Sequence, residues 1–199
     1  MESIKIDSKI ANVYIDNPEN VTEEEHVIVT DVSLPDDAPA RVKTLRAEGK
    51  KWYLTVTYRP ESEKPFALFC HTNHPEKTAH TSNAVEKMIE MAHNKGIANE
   101  HIDKLQEKMK NDSNVNKLTR TISLLLRHNV AIKNIVAVID TVPDVYVGSF
   151  LFQIKKFLSQ YIKEGEKVEG HTCQDCGSTN LQFSEGCMMC VDCGSSKCG

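Results

Sequence analysis

Apolar and polar positions along the chain fall into three regimes. Between Arg41 and Cys70 they alternate: Val42 and Leu45 lead into Trp52, Leu54, Val56 and Tyr58, each separated by polar residues, and a third run follows as Pro65-Phe66-Ala67-Leu68-Phe69-Cys70. A period of two belongs to strands that bury one face. Glu48-Gly49-Lys50 predicts the turn between the first two strands, and 60–64 the loop before the third. After His80 the period becomes helical. Ser82 or Asn83 can cap a helix whose face is Val85, Met88, Ile89 and Ala92, with Gly96 past its end. A shorter helix after Asn99 places Ile102, Leu105 and Met109 together, and the stretch from Ser113 to His128 carries the broadest apolar face, Val115, Leu118, Ile122, Leu125 and Leu126, before a stop at Asn129. Further helices are predicted near 132–139 and 148–162. The body, residues 41–162, therefore reads as α+β, a small antiparallel sheet packed by a helical layer.

The two ends follow neither pattern. Residues 1–40 hold ten acidic and two basic side chains, three prolines and only short apolar pieces such as Val27-Ile28-Val29, which predicts an acidic arm with one strand at most. Residues 163–170, Lys-Glu-Gly-Glu-Lys-Val-Glu-Gly, have the composition of a linker. Residues 171–199 form the tail.

Composition narrows the function classes. The 199 residues are 40% hydrophobic and 26% charged, an ordinary globular mixture. No apolar run reaches the ~18–20 residues of a membrane span, and the first residues carry charges where a secretory leader needs an apolar stretch, so a soluble, cytoplasmic protein is expected. Residues 41–170 hold twenty-one basic and fifteen acidic side chains. That excess is mild and dispersed, unlike the concentrated basic stripe of a phosphate-backbone binder, so a nucleic-acid partner is not expected.

The seven cysteines change the picture, because six lie in the last 27 residues: Cys173, Cys176, Cys187, Cys190, Cys193 and Cys198. In a reducing compartment such density points to metal or redox chemistry. Paired Cys-x-x-Cys turns joined by a hairpin can set four thiolates at the corners of a tetrahedron, as structural zinc requires, and a segment this short and this poor in apolar side chains needs such a staple to fold. Spacing favours Cys173, Cys176, Cys187 and Cys190 as zinc ligands. That set leaves Cys193 and Cys198 as a pair flanking Gly194-Ser195-Ser196-Lys197, a loop long enough to close a disulfide, with Lys197 favouring the thiolate. The alternative set takes Cys173, Cys176, Cys190 and Cys193, since Cys176 and Cys193 are each followed by glycine, and leaves Cys187 and Cys198. A second, weaker constellation is Cys70-His71 with His74 and His80, which a strand end followed by a polar loop also explains.

The stretch from Glu185 through Cys187-Met188-Met189-Cys190-Val191-Asp192-Cys193-Gly194-Ser195-Ser196-Lys197-Cys198-Gly199, with Cys173-Gln174-Asp175-Cys176-Gly177 before it, resembles the carboxyl-terminal zinc and redox tail of adenosylcobalamin-dependent (class II) ribonucleotide reductases. The body is similar to the TSCPD-type domain that precedes that tail, through Trp52–Thr57, Pro65–Phe69 and Arg120–Val130. It departs from that domain at Ala47-Glu48-Gly49 and at His71-Thr72-Asn73-His74-Pro75. The resemblance implies a stand-alone, non-catalytic reductase component. Its tail dithiol, Cys193 and Cys198 by this correspondence, would re-reduce the active-site disulfide of a separate large catalytic subunit that binds the adenosylcobalamin, and thioredoxin or glutaredoxin would restore it. The competing expectation is a diverged zinc-ribbon regulatory or interaction protein.

Overall fold

The computed structural model describes residues 37–59, 63–71, 79–143, 145–168, 170–184 and 186–197. The expected acidic arm therefore lies outside the described residues except at its carboxyl end. Strands β1 (Ala40–Ala47), β2 (Lys50–Tyr58) and β3 (Pro65–His71) form an antiparallel sheet in that order. Glu48 and Gly49, at φ 53° and 72°, make the two-residue turn joining β1 to β2. Both central residues are left-handed, the backbone twist that suits a tight hairpin.

Alternation decides the sheet's buried face. Leu45, Trp52, Leu54, Val56, Leu68 and Cys70 are buried on it, while Val42 and Tyr53 stay exposed. Helices α1 (Ala79–Asn94), α2 (Asn99–Met109), α3 (Asn114–Arg127), α4 (Ile132–Asp140) and α5 (Phe150–Ser159) supply the covering layer. α3 packs on β3, α5 on β1, α1 on α3 and α4 on α5. The Trp52 and Phe150 rings lie 4.8 Å apart at the centre, joining sheet to α5. The architecture is the expected α+β one. α1 begins at Ala79, ahead of the expected Ser82 or Asn83 cap. α3 starts where expected, with the Ser113 hydroxyl accepting from Asn116 N–H, and the left-handed Asn129, at φ 56°, follows its His128 cap.

The tail is a second small sheet, with β4 (Lys167–Val168), β5 (Leu181–Ser184), β6 (Cys187–Cys190) and β7 (Ser196–Lys197) in sequential order. The stretch 163–170, expected to be a linker giving the tail freedom, instead contributes β4. Gly165 N–H donates to Phe183 O, Phe183 N–H donates to Glu166 O, and the Glu166 carboxylate lies 3.4 Å from Lys133 of α4. Val168, Leu181 and Phe183 are buried in one core with the body's helices. The few apolar residues of the tail can be buried only against another element, so they anchor it to the body.

Candidate metal centre

Two turns of the same design hold the site. Each begins on a cysteine, runs two residues to a second cysteine and then reaches a glycine: Cys173 to Cys176 and Gly177, Cys190 to Cys193 and Gly194. Gly177 and Gly194 both sit at φ 74°, where a β-carbon would be strained. Their N–H groups fold back onto Cys173 O and Cys190 O, each at 2.9 Å. Cys173 N–H in turn donates to Ser178 O at 2.7 Å, and Cys190 N–H to Ser195 O at 2.8 Å. A side-chain brace joins the first turn to the second: the Ser178 hydroxyl donates to the Asp192 carboxylate, which also accepts from the Asn180 amide at 3.0 Å.

The two turns face each other and bring four sulfurs, Cys173, Cys176, Cys190 and Cys193, within 4.8 Å of one another. The Cys173–Cys193 and Cys176–Cys190 sulfur pairs are each 3.6 Å apart. Four thiolates about 2.3 Å from a central ion at the corners of a tetrahedron lie about 3.8 Å from each other, so the separations fit a metal ion. The charge distribution of the thiols agrees. The Ser195 hydroxyl, followed by backbone N–H groups, lowers the Cys173 thiol to about 6, and the same hydroxyl lowers Cys193. At Cys176 the Ser178 backbone bond favours the thiolate, but the adjacent thiols and burial outweigh it and push the group up to about 12. Four sulfurs this close do not all ionise without a cation between them. A bound metal ion would supply that cation and hold the two turns together.

One residue of the favoured ligand set stands elsewhere. Cys187 is not in the cluster; it is disulfide-bonded, and Cys193 takes the place expected for it. The physical reason is β6. Cys187 and Cys190 are the first and last residues of an extended strand, paired with Ser184 and Leu181 of β5. Three residue steps along the strand separate them by roughly 10 Å and turn their side chains to opposite faces, so they cannot chelate one ion. The glycine after the second cysteine of each turn is the sequence signal that marks the two pairs brought together in the cluster. Cys193, expected in a redox pair with Cys198, is therefore a free thiol of the cluster, and Cys198 lies outside the described residues.

Of the weaker constellation, Cys70 is buried in the core, while the side chains of His71, His74 and His80 lie outside the described residues. Beside the cluster, a cleft of about 230 Å³ bordered by Asp140, Thr141, His171 and Cys173 marks the junction with the end of α4. Sequence spacing does not register another pair of side chains, His101 and His128, which the fold brings together from 27 residues apart. No helix in the described residues is long and apolar enough to cross a membrane. No family model matches the chain, and neither the curated proteins nor the solved structures contain a match.

Proposed function

We propose that this chain is a non-catalytic component of a split class II ribonucleotide reductase. In this reading zinc sits on Cys173, Cys176, Cys190 and Cys193, and Cys187 with Cys198 forms the exchangeable dithiol. The observation that carries the reading is the division of the tail cysteines: four thiols gather in one cluster, and Cys187, outside it, is already oxidised. Cys198 is the one tail cysteine left over from the four cluster thiols and Cys187. An all-sulfur tetrahedral donor set suits zinc.

The chemistry is thiol–disulfide exchange. A thiolate of the reduced pair attacks one sulfur of a disulfide in the large subunit and forms a mixed disulfide, releasing the other partner sulfur as thiolate. The second tail thiolate then attacks the mixed disulfide. Two electrons and two protons pass to the large subunit, leaving Cys187 and Cys198 joined. Thioredoxin or glutaredoxin reverses the oxidation. The chain itself contributes no ribonucleotide chemistry; the adenosylcobalamin belongs to the large subunit.

A second reading, a zinc-stabilised interaction module, draws on the anchoring of the ribbon: its core is continuous with the body, which removes the reach a swinging tail would have. One experiment separates the two. The isolated protein is assayed for zinc and for free thiols before and after thioredoxin, its reductase and NADPH, and then added to a class II reductase lacking its own tail. One zinc per chain, two thiols gained on reduction and restored multiple turnovers that Cys187→Ser abolishes support the shuttle. One zinc with no thiols gained and no turnover supports the interaction module.

A further inference from the structure

α2 and α3 meet at two histidines on the body, away from the thiol cluster. His101 lies in the first turn of α2 and His128 caps the end of α3, with His101 Nδ1 3.2 Å from His128 Nε2. Their rings are 5.1 Å apart between centroids, inclined at 43°, and both side chains are half-buried. The backbones that carry them are held. His101 N–H donates to Ala98 O, and His128 N–H donates to Leu124 O immediately before the left-handed Asn129. At the same end of α2, His93 Nδ1 is 3.2 Å from Asn99 Oδ1, tying the last turn of α1 to the first residue of α2.

Two imidazole nitrogens bound to one divalent ion at about 2.0–2.1 Å each lie about 3.3 Å apart in a tetrahedral arrangement. The pair already has that spacing. We propose that His101 and His128 form a two-histidine site for a divalent transition ion that prefers imidazole ligands, such as Zn²⁺, and that the ion clasps α2 onto α3. Without the ion, one ring donates its N–H to the lone pair of the other. When the ion enters, the donating ring carries its proton on its other nitrogen instead, both facing lone pairs bind the metal, and water completes the coordination. With both rings neutral, no net proton is released. Burial, His101 and Arg127 all hold the His128 pKa below its ordinary value, which keeps that ring neutral and able to ligate at neutral pH. Arg127 also repels a bound cation, so this site fills after the thiol cluster.

The test uses the full-length chain already loaded with one equivalent of zinc. Further Zn²⁺ is added at pH 7.5 while the imidazole nitrogen resonances are recorded and binding is followed by calorimetry. The expected result is one additional equivalent, shifts of His101 Nδ1 and His128 Nε2, and at least tenfold weaker binding in His101→Ala or His128→Ala, about 1.4 kcal/mol. The first zinc should be unaffected. His101→Gln, closer in size, replaces the alanine variant should that one fail to fold, and the ring resonances of the unmodified chain decide independently of any variant. Absence of a second equivalent, unshifted ring nitrogens at these two residues, or equal binding in the variants would overturn the proposal, the last assigning the ion to other histidines.

Discussion

Lys155 of α5 and Asp140 at the end of α4 face each other with Nζ 2.5 Å from Oδ1, and their side chains are only 5% and 8% exposed. Two charges this far from water are costly to desolvate, and each offsets that cost for the other. Lys155→Met alone should destabilise the body by up to about 3–5 kcal/mol, because it removes the ammonium group 2.5 Å from the buried Asp140 carboxylate. Lys155→Met combined with Asp140→Leu should recover much of that loss. Urea unfolding of the single and double variants measures both, and an additive double variant would contradict the coupling.

The four-thiol cluster makes a sharp distinction within β6 and the turn after it. Cys193→Ser should abolish stoichiometric metal binding, whereas Cys187→Ser should retain it; elemental analysis after gel filtration reads the difference. Structural zinc in small fingers is worth about 10–16 kcal/mol of apparent folding energy at neutral pH. A strong chelator should therefore unfold the tail. Because Val168, Leu181 and Phe183 share the body's core, the melting temperature of the body should fall as well.

Ser123 closes the outer edge of β3. Its hydroxyl accepts from Leu68 N–H at 2.9 Å and shares its own proton between Leu68 O at 3.0 Å and Thr119 O at 2.7 Å. Ser123→Ala leaves a buried main-chain donor unpaired and should cost about 1–3 kcal/mol. Faster amide exchange at Leu68 than at Leu54 of the central strand would locate the loss.

The β1–β2 turn carries a local conflict between sequence and backbone. Glu48 adopts φ 53°, where a side chain other than glycine, asparagine or aspartate is strained. Glu48→Gly or Glu48→Asn should stabilise the protein by up to about 1 kcal/mol, while Gly49→Ala, at φ 72°, should destabilise it. Thermal melts of the three variants test the sign.

His128 gives the fold an acid-sensitive point. Burial first, then His101 and Arg127, hold its pKa below the ordinary 6.5, so the unfolded chain takes up a proton that the folded chain resists. The associated stability is complete above about pH 6.5 and declines as pH falls toward the lowered folded value. Unfolding free energy measured between pH 8 and 5 should slope downward toward acid, and His128→Gln should flatten that slope.

Much of this arrangement is legible in the linear pattern. The period-two run from Val42 to Cys70, the helical faces of α2 to α5 and the stop at Asn129 follow from alternation and spacing, because one-sided burial imposes those periods on any chain that forms the elements. The start of α1 is less clear, since Ser82 and Asn83 resemble caps but lie inside the helix. Lys163 to Gly170 has the composition of a free connector, yet its single apolar side chain, Val168, is enough to seat β4 against α4. The tail shows the same limit: its cysteine density points to a metal site, whereas the choice of ligands depends on which cysteines lie in turns and which in a strand.

Sequence by itself determined the class of the body, an α+β layer structure, and the kind of chemistry the tail can support, because periodicity and cysteine content are properties of neighbouring residues. Only the tertiary structure decided which four sulfurs meet, that the ribbon is fixed to the body, and that His101 comes within hydrogen-bonding distance of His128. Each of these depends on distance and direction in space: the extension of β6 carries Cys187 away from Cys190, the turn ending at Gly194 brings Cys193 back, and the packing of α2 against α3 joins two histidines that the chain keeps far apart.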